Sequence, residues 1–122
     1  MELKALRTLI INALEDMKAL DIKELDVRGK SSITDYMIIA SGTSNRHVKA
    51  IAESVAFKAK HAGEAPLSVS GLTEADWALV DLNGVIVHVM QVKVRDFYQL
   101  ERLWDIDYQE QDESIESETN KC

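Results

Sequence analysis

The sequence predicts an α/β domain in which a mixed β-sheet is flanked by helices. Three patterns carry that prediction. Leu3, Leu6, Ile10, Ala13, Leu14, Met17 and Leu20 recur at helical spacing. Tyr36-Met37-Ile38-Ile39-Ala40 is an unbroken apolar run of strand length, the pattern of a strand buried on both faces. Trp77–Leu82 and Val85–Met90 flank Asn83-Gly84, the pair favoured in a two-residue type I′ hairpin turn. The 122 residues suit one domain.

Taken in order, the first helix is expected over about 2–19. Leu25-Asp26-Val27 is a short strand candidate, and Arg28 to Ser32 is a loop by composition. The strand at Tyr36–Ala40 ends in Ser41-Gly42-Thr43-Ser44, where Thr43 or Ser44 can cap the next helix by accepting from its free backbone N–H groups. That helix, about 44–61, carries a stripe of Val48, Ile51, Ala52, Val55 and Ala59, and His61-Ala62-Gly63 followed by Pro66 stops it. One more strand precedes the hairpin. A two-residue loop sets the hairpin register. Leu82 then faces Val85, Val80 faces Val87 and Ala78 faces Val89, a wholly apolar face for the core. The other face pairs Asp81 with Ile86, Leu79 with His88 and Trp77 with Met90. A last helix is expected over about 96–104, with Asp96 near its positive end. Phe97, Leu100 and Trp104 follow a helical stripe and are expected to pack, while Tyr98, Glu101 and Arg102 lie toward another face.

The net charge of −7 is unevenly placed. Residues 105–122 hold seven acids and one base, a net −6, and leave −1 for the rest. The domain is therefore expected over 1–105, with 106–122 an acidic tail expected to be disordered. The body carries no basic stripe, which argues against nucleic acid as the main ligand. Cys122 is the lone cysteine and ends the chain, so an internal disulfide is excluded. With no apolar run long enough to span a bilayer and no signal-peptide pattern, the expectation is a soluble cytoplasmic protein without a membrane partner.

Chemical sites are few. The Ser41–Ser44 turn before a helix could hold phosphate on its N–H groups, but it has one glycine and no lysine at P-loop spacing. His47, His61 and His88 lack metal-ligand spacing, so no metal or cofactor is expected. Trp77, Asp81 and His88 share one hairpin face by period-2 arithmetic. Two readings of that face stand side by side. A helix covers it, with His88 bonded to Asp81 or a backbone group. Alternatively it is a partly open docking surface, an aromatic anchor ringed by polar groups.

Taken together, Ser32-x-x-Asp35-Tyr36, Ser41-Gly42-Thr43-Ser44-x-Arg46-His47-Val48, Gly71-x5-Trp77-x3-Asp81, Val87-His88-Val89 and Arg95-x-Phe97-Tyr98-x-Leu100-Glu101-x-Leu103-Trp104 resemble the ribosomal silencing factor, or Iojap, family. The resemblance spans about Leu3 to Asp105. It implies a small domain similar to the nucleotidyltransferase fold, often dimeric when free. It also implies binding to the universally conserved fourteenth protein of the large ribosomal subunit. Bound there, such a factor blocks the small subunit from joining and lowers translation when nutrients are scarce. A minor contact with ribosomal RNA is possible at the rim. Organellar relatives act in ribosome assembly.

Catalysis is not expected to accompany the fold. A nucleotidyltransferase needs a Gly-Ser turn and paired acids for its metal. Here Thr43 follows Gly42, and Asp81 has Leu79 and Asn83 at its i±2 positions. The expected docking surface therefore joins the mixed hairpin face to the last helix. Trp77, Tyr98 and Leu100 supply apolar contact, Asp81 and Glu101 meet bases of the partner, and His88 shares the face. A large-subunit assembly factor is the alternative, and a nucleotide-binding enzyme centred on Ser41–Ser44 and Asp81 the remoter one. Asp35, Arg46 and His47 belong to the pattern without a derived role beyond orienting the Gly42 turn.

Overall fold

The structure, a computed structural model, describes residues 1–98 apart from Ile33, with the backbone alone for Phe97 and Tyr98. Helix α1 (Leu3–Asp16) is followed by strands β1 (Leu20–Asp26) and β2 (Tyr36–Gly42). Helix α2 (Asn45–His61) and strand β3 (Ser68–Ser70) lead to β4 (Trp77–Leu82), β5 (Val85–Gln91) and helix α3 (Val92–Tyr98). The strands form one sheet in the order β1-β2-β5-β4-β3. β2 and β5 run parallel at its centre, and the other pairings are antiparallel. The mixed sheet flanked by helices is thus as expected.

The apolar patterns explain the layers. β2 is buried along all seven residues. The hairpin register is the one set by the two-residue loop, Leu82 to Val85 through Trp77 to Met90. Its apolar row of Ala78, Val80, Leu82, Val85, Val87 and Val89 meets Leu6, Ile10, Ala13 and Leu14 of α1 and the expected stripe of α2 in the main core. Burying each Val or Leu there contributes about 1.5–3 kcal/mol before the entropy of ordering is set against it. The opposite face carries a smaller core of Val27, Met37, Ile39 and Met90, against which Leu25, Trp77 and Val94 pack. Among the described residues, no helix is long and apolar enough to cross a membrane.

Backbone chemistry moved three boundaries from their expected places and changed the type of one turn. α1 ends at Asp16 because Lys18 turns left-handed at φ 58°, and the N–H groups of Lys18 and Ala19 return to the carbonyls of Glu15 and Leu14. That is a Schellman ending, here with lysine where glycine is usual. β1 therefore begins at Leu20 rather than Leu25, with Asp21 at φ 49° and a register shift between Leu20 and Lys23. α3 starts at Val92 rather than 96, so Asp96 lies inside the helix and not near its positive end. No turn residue separates β5 from α3, and Gln91 fixes the junction. Its backbone N–H donates to the Asp76 carbonyl and its side-chain amide to the Asp76 carboxylate. In the hairpin, Gly84 takes φ 91° while Asn83 stays out of the left-handed region, the signs of a type II turn and not type I′. The Gly84 carbonyl is turned toward β2, where it accepts from the N–H groups of Asp35 and Tyr36. The remainder of the expected 96–104 helix, with the Trp104 contact and the acidic tail, lies outside the described residues, as does the Phe97 side chain.

Candidate functional site

Trp77 begins β4 and His88 lies mid-way along β5. Trp77 stands opposite Met90 and His88 opposite Leu79, so the two rings are diagonal neighbours on one face. The indole N–H donates to His88 Nδ1 at 2.9 Å, and the ring centroids lie 5.8 Å apart. An indole only donates, so His88 Nδ1 must hold a lone pair. Burial supplies the reason. His88 is only 7% exposed, and burial pushes its pKa from 6.5 down to about 4. The imidazole is therefore neutral near pH 7. Sequence reasoning offered Asp81 or a backbone group as the partner of His88. The geometry gives Trp77 instead, because the large indole leans along the strand to span the diagonal.

The structure divides this face into a buried part and a half-exposed part. Met90, His88, Ile39 and Met37 are buried beneath their neighbours. Trp77, Leu79, Asp81 and Ile86 form a half-exposed strip, edged by exposed Ser68 and Ser70 of β3. Trp77 and Asp81 thus stand where a partner could touch them, whereas His88 lies behind the strip. Gly71 supports the strip from below. At φ 79° it runs so close beneath the chain that a Cβ there would overlap the carbonyl oxygen of Trp77 and lie 3.1 Å from Ala78 Cα. The spacing Gly71-x5-Trp77 thus has a steric cause that composition did not show.

α3 leaves the same end of the sheet. Arg95 is buried, and its guanidinium donates to the Asp21 carbonyl at 2.6 Å and to Ser41 Oγ at 3.0 Å. It thereby pins α3 to the bulge of β1 and the end of β2. Sequence reasoning gave Arg95 no role, since its partners lie 74 and 54 residues away. Tyr98 is the last described residue of α3, and its side chain is not described. Leu100 and Glu101 lie outside the described residues.

The Gly42 turn is built for closeness. A Cβ on Gly42 would stand 2.8 Å from Val48 Cγ2 and 3.0 Å from its backbone nitrogen. Ser44 caps α2, its side chain accepting from the His47 N–H. His47 Nε2 meets the Met17 carbonyl at 2.8 Å, while Nδ1 accepts from the Thr43 N–H at 3.0 Å. Because a carbonyl only accepts, the Nε2 position carries the proton. His47 thus ties this turn to the end of α1, which orients the Gly42 turn as expected. Arg46 is exposed, and Asp35 enters through its backbone N–H to Gly84. Among the described residues, no three His, Cys, Asp or Glu side chains are grouped to hold a metal ion.

On the β1 side, Arg7 lies 3.8 Å over the Tyr36 ring and Arg28 5.1 Å from it. Each arginine also meets an acid, Arg7 with Glu24 and Arg28 with Asp26 through two side-chain contacts. The Arg28 guanidinium holds the Asp26 carboxyl down at about 2. These ion pairs are largely solvated and of small energetic weight. They cover the aromatic face of the buried Tyr36.

The family model described as ribosomal silencing factor during starvation matches residues 1–121. The chain is 48% identical over 100 residues to the ribosomal silencing factor RsfS of Haemophilus influenzae, covering 82% of this chain and 98% of that one. A crystal structure of a Chromobacterium violaceum protein superposes with a TM-score of 0.83 at 47% identity, covering 85% of this chain and 87% of the other. A mouse protein named for mitochondrial assembly of the ribosomal large subunit is 31% identical over 101 residues, which cover 80% of this chain and 44% of that protein. The motifs that suggested the resemblance are thus part of a match running nearly the whole length of the chain, and the chain belongs to the ribosomal silencing factor family.

Proposed function

We propose that this protein is a translational repressor that binds the large ribosomal subunit through its universally conserved fourteenth protein and sterically blocks the small subunit. Translation falls as a result when nutrients are limiting. The observation that carries this reading is the half-exposed strip of Trp77, Leu79, Asp81 and Ile86, in a chain of a ribosomal silencing family. An aromatic ring backed by a buried histidine and flanked by a carboxylate has the chemistry of an interface anchor. Asp81 faces Ile86 across the hairpin and Ser68 on β3, neither of them a second acid. The proposed activity is therefore binding without catalysis, and needs no cofactor. Tyr98, Leu100 and Glu101 complete the proposed surface, with Asp81 and Glu101 meeting bases on the partner. The protein acts on cytoplasmic ribosomes, and free copies pair as homodimers.

The test is subunit joining in vitro. The protein is added to free large subunits, then small subunits are added, and the joined fraction is measured. A concentration-dependent fall in joining is expected. Unchanged joining at saturating protein would overturn the reading. A second reading, promotion of large-subunit assembly, is favoured by the name of the mouse relative. Sedimentation profiles of a deletion strain separate the two. Immature large particles point to assembly, and normal particles that join too readily during starvation point to blockade.

A further inference from the structure

His88 lies in the centre of the sheet, between Ile39 of β2 and Leu79 of β4. Its 7% exposure leaves little surface for a macromolecular partner, yet its Nδ1 is engaged by the half-exposed Trp77. We propose that His88 is a positioning residue for docking: it does not touch the ribosome, but holds the Trp77 indole in the orientation that presents it. This proposal rests on the docking reading above and adds to it how the anchor is held.

The physical basis is the diagonal geometry. An indole at the start of a strand can rotate about two side-chain bonds, and an anchor that must be frozen on binding loses affinity to that ordering. A hydrogen bond from a central strand removes the freedom beforehand. It also satisfies the indole N–H on its inward edge. The neutral imidazole is required, because an imidazolium would present a second donor to the indole N–H. His88 and Gly71 then act on the same residue from two sides, one on its ring and the other beneath its backbone.

The test is a double-mutant cycle on binding to purified large subunits, measured by co-sedimentation, with Trp77→Ala, His88→Leu and His88→Asn. Asparagine carries its amide oxygen at the same remove from Cβ as Nδ1, so it keeps the acceptor, while leucine keeps bulk and loses it. His88→Leu is expected to weaken binding about five- to thirtyfold, and His88→Asn to restore most of it. In the Trp77→Ala background, His88→Leu should add nothing, since its route to the partner is gone. In ¹⁵N spectra of the free protein, the Trp77 indole N–H should shift in His88→Leu and stay near its wild-type place in His88→Asn.

Equal losses for the leucine and asparagine variants, or full additivity with Trp77→Ala, would overturn positioning through the indole. If His88→Leu does not fold, His88→Gln moves the acceptor one bond outward and takes its place in the cycle with the same expected pattern. Wild-type binding by folded Trp77→Ala defeats the docking surface itself. Loss on Trp77→Ala with no loss on His88→Leu defeats the positioning claim alone.

Discussion

The backbone of Gly71 lies directly beneath the carbonyl of Trp77, in a left-handed conformation and at a distance that admits no side chain. The close approach leaves no room for a side chain on Gly71 at the start of β4, where the Trp77 indole begins its reach toward His88. Gly71→Ala meets both penalties, a positive φ and overlap with backbone atoms that cannot rotate away. It is expected to lower folding stability by about 2 kcal/mol or more. Urea denaturation gives the stability, and co-sedimentation of the remaining folded protein should show weakened large-subunit binding. An unchanged midpoint would contradict the steric role.

The helix ends give a paired prediction. α1 and α2 close with the same Schellman pattern, Lys18 and Gly63 both being left-handed at φ 58° and 90°. Only glycine adopts that conformation without a Cβ conflict. Lys18→Gly should stabilise the protein by about 0.5–1 kcal/mol, and Gly63→Ala should destabilise it by about 1 kcal/mol. Opposite shifts of the melting temperature would show this. Shifts of the same sign would not.

Stability should depend on pH through His88. Its folded value near 4 lies below the ordinary 6.5, so on acidification the unfolded chain takes up the proton first. The contribution is fully present above about pH 6.5 and is lost progressively as pH falls toward 4, by about 3 kcal/mol at most. Urea midpoints between pH 7 and 4 should fall more steeply for the wild type than for His88→Asn, which has no proton to gain. Parallel slopes would place the acid sensitivity elsewhere.

His47 joins two elements through one ring, Nδ1 to the Thr43 N–H and Nε2 to the Met17 carbonyl. His47→Ala removes both bonds and is expected to destabilise the fold by about 1–3 kcal/mol. Hydrogen exchange should quicken at Thr43 and in the last turn of α1 before it does in β2. Uniform quickening across the sheet would argue against a local tie.

Much of the fold was legible because burial imposes periodicity. The all-apolar run of β2, the stripe of α2 and the alternation of the hairpin each name the face that must leave water, and a two-residue loop leaves only one register. Boundaries were less legible because they depend on single backbone angles. Nothing in the composition of Lys18 or Asp21 announces a left-handed residue, and no turn residue marks the passage from Gln91 into α3. The type of the Asn83-Gly84 turn was misread for a related reason, since the Gly84 carbonyl is directed by β2, a distant segment.

The sequence by itself determined the fold class, the family and the placing of Trp77, Asp81 and His88 on one face, because side-chain alternation along a strand is a local property. Tertiary structure alone decided what each residue does there. The strand order sinks His88 in mid-sheet while leaving Asp81 half-exposed. A diagonal contact gives the His88 lone pair to Trp77, and Arg95 reaches chain 74 residues away to fix the start of α3. Burial, diagonal pairing and long-range hydrogen bonds depend on which segments become neighbours, and no local pattern encodes that.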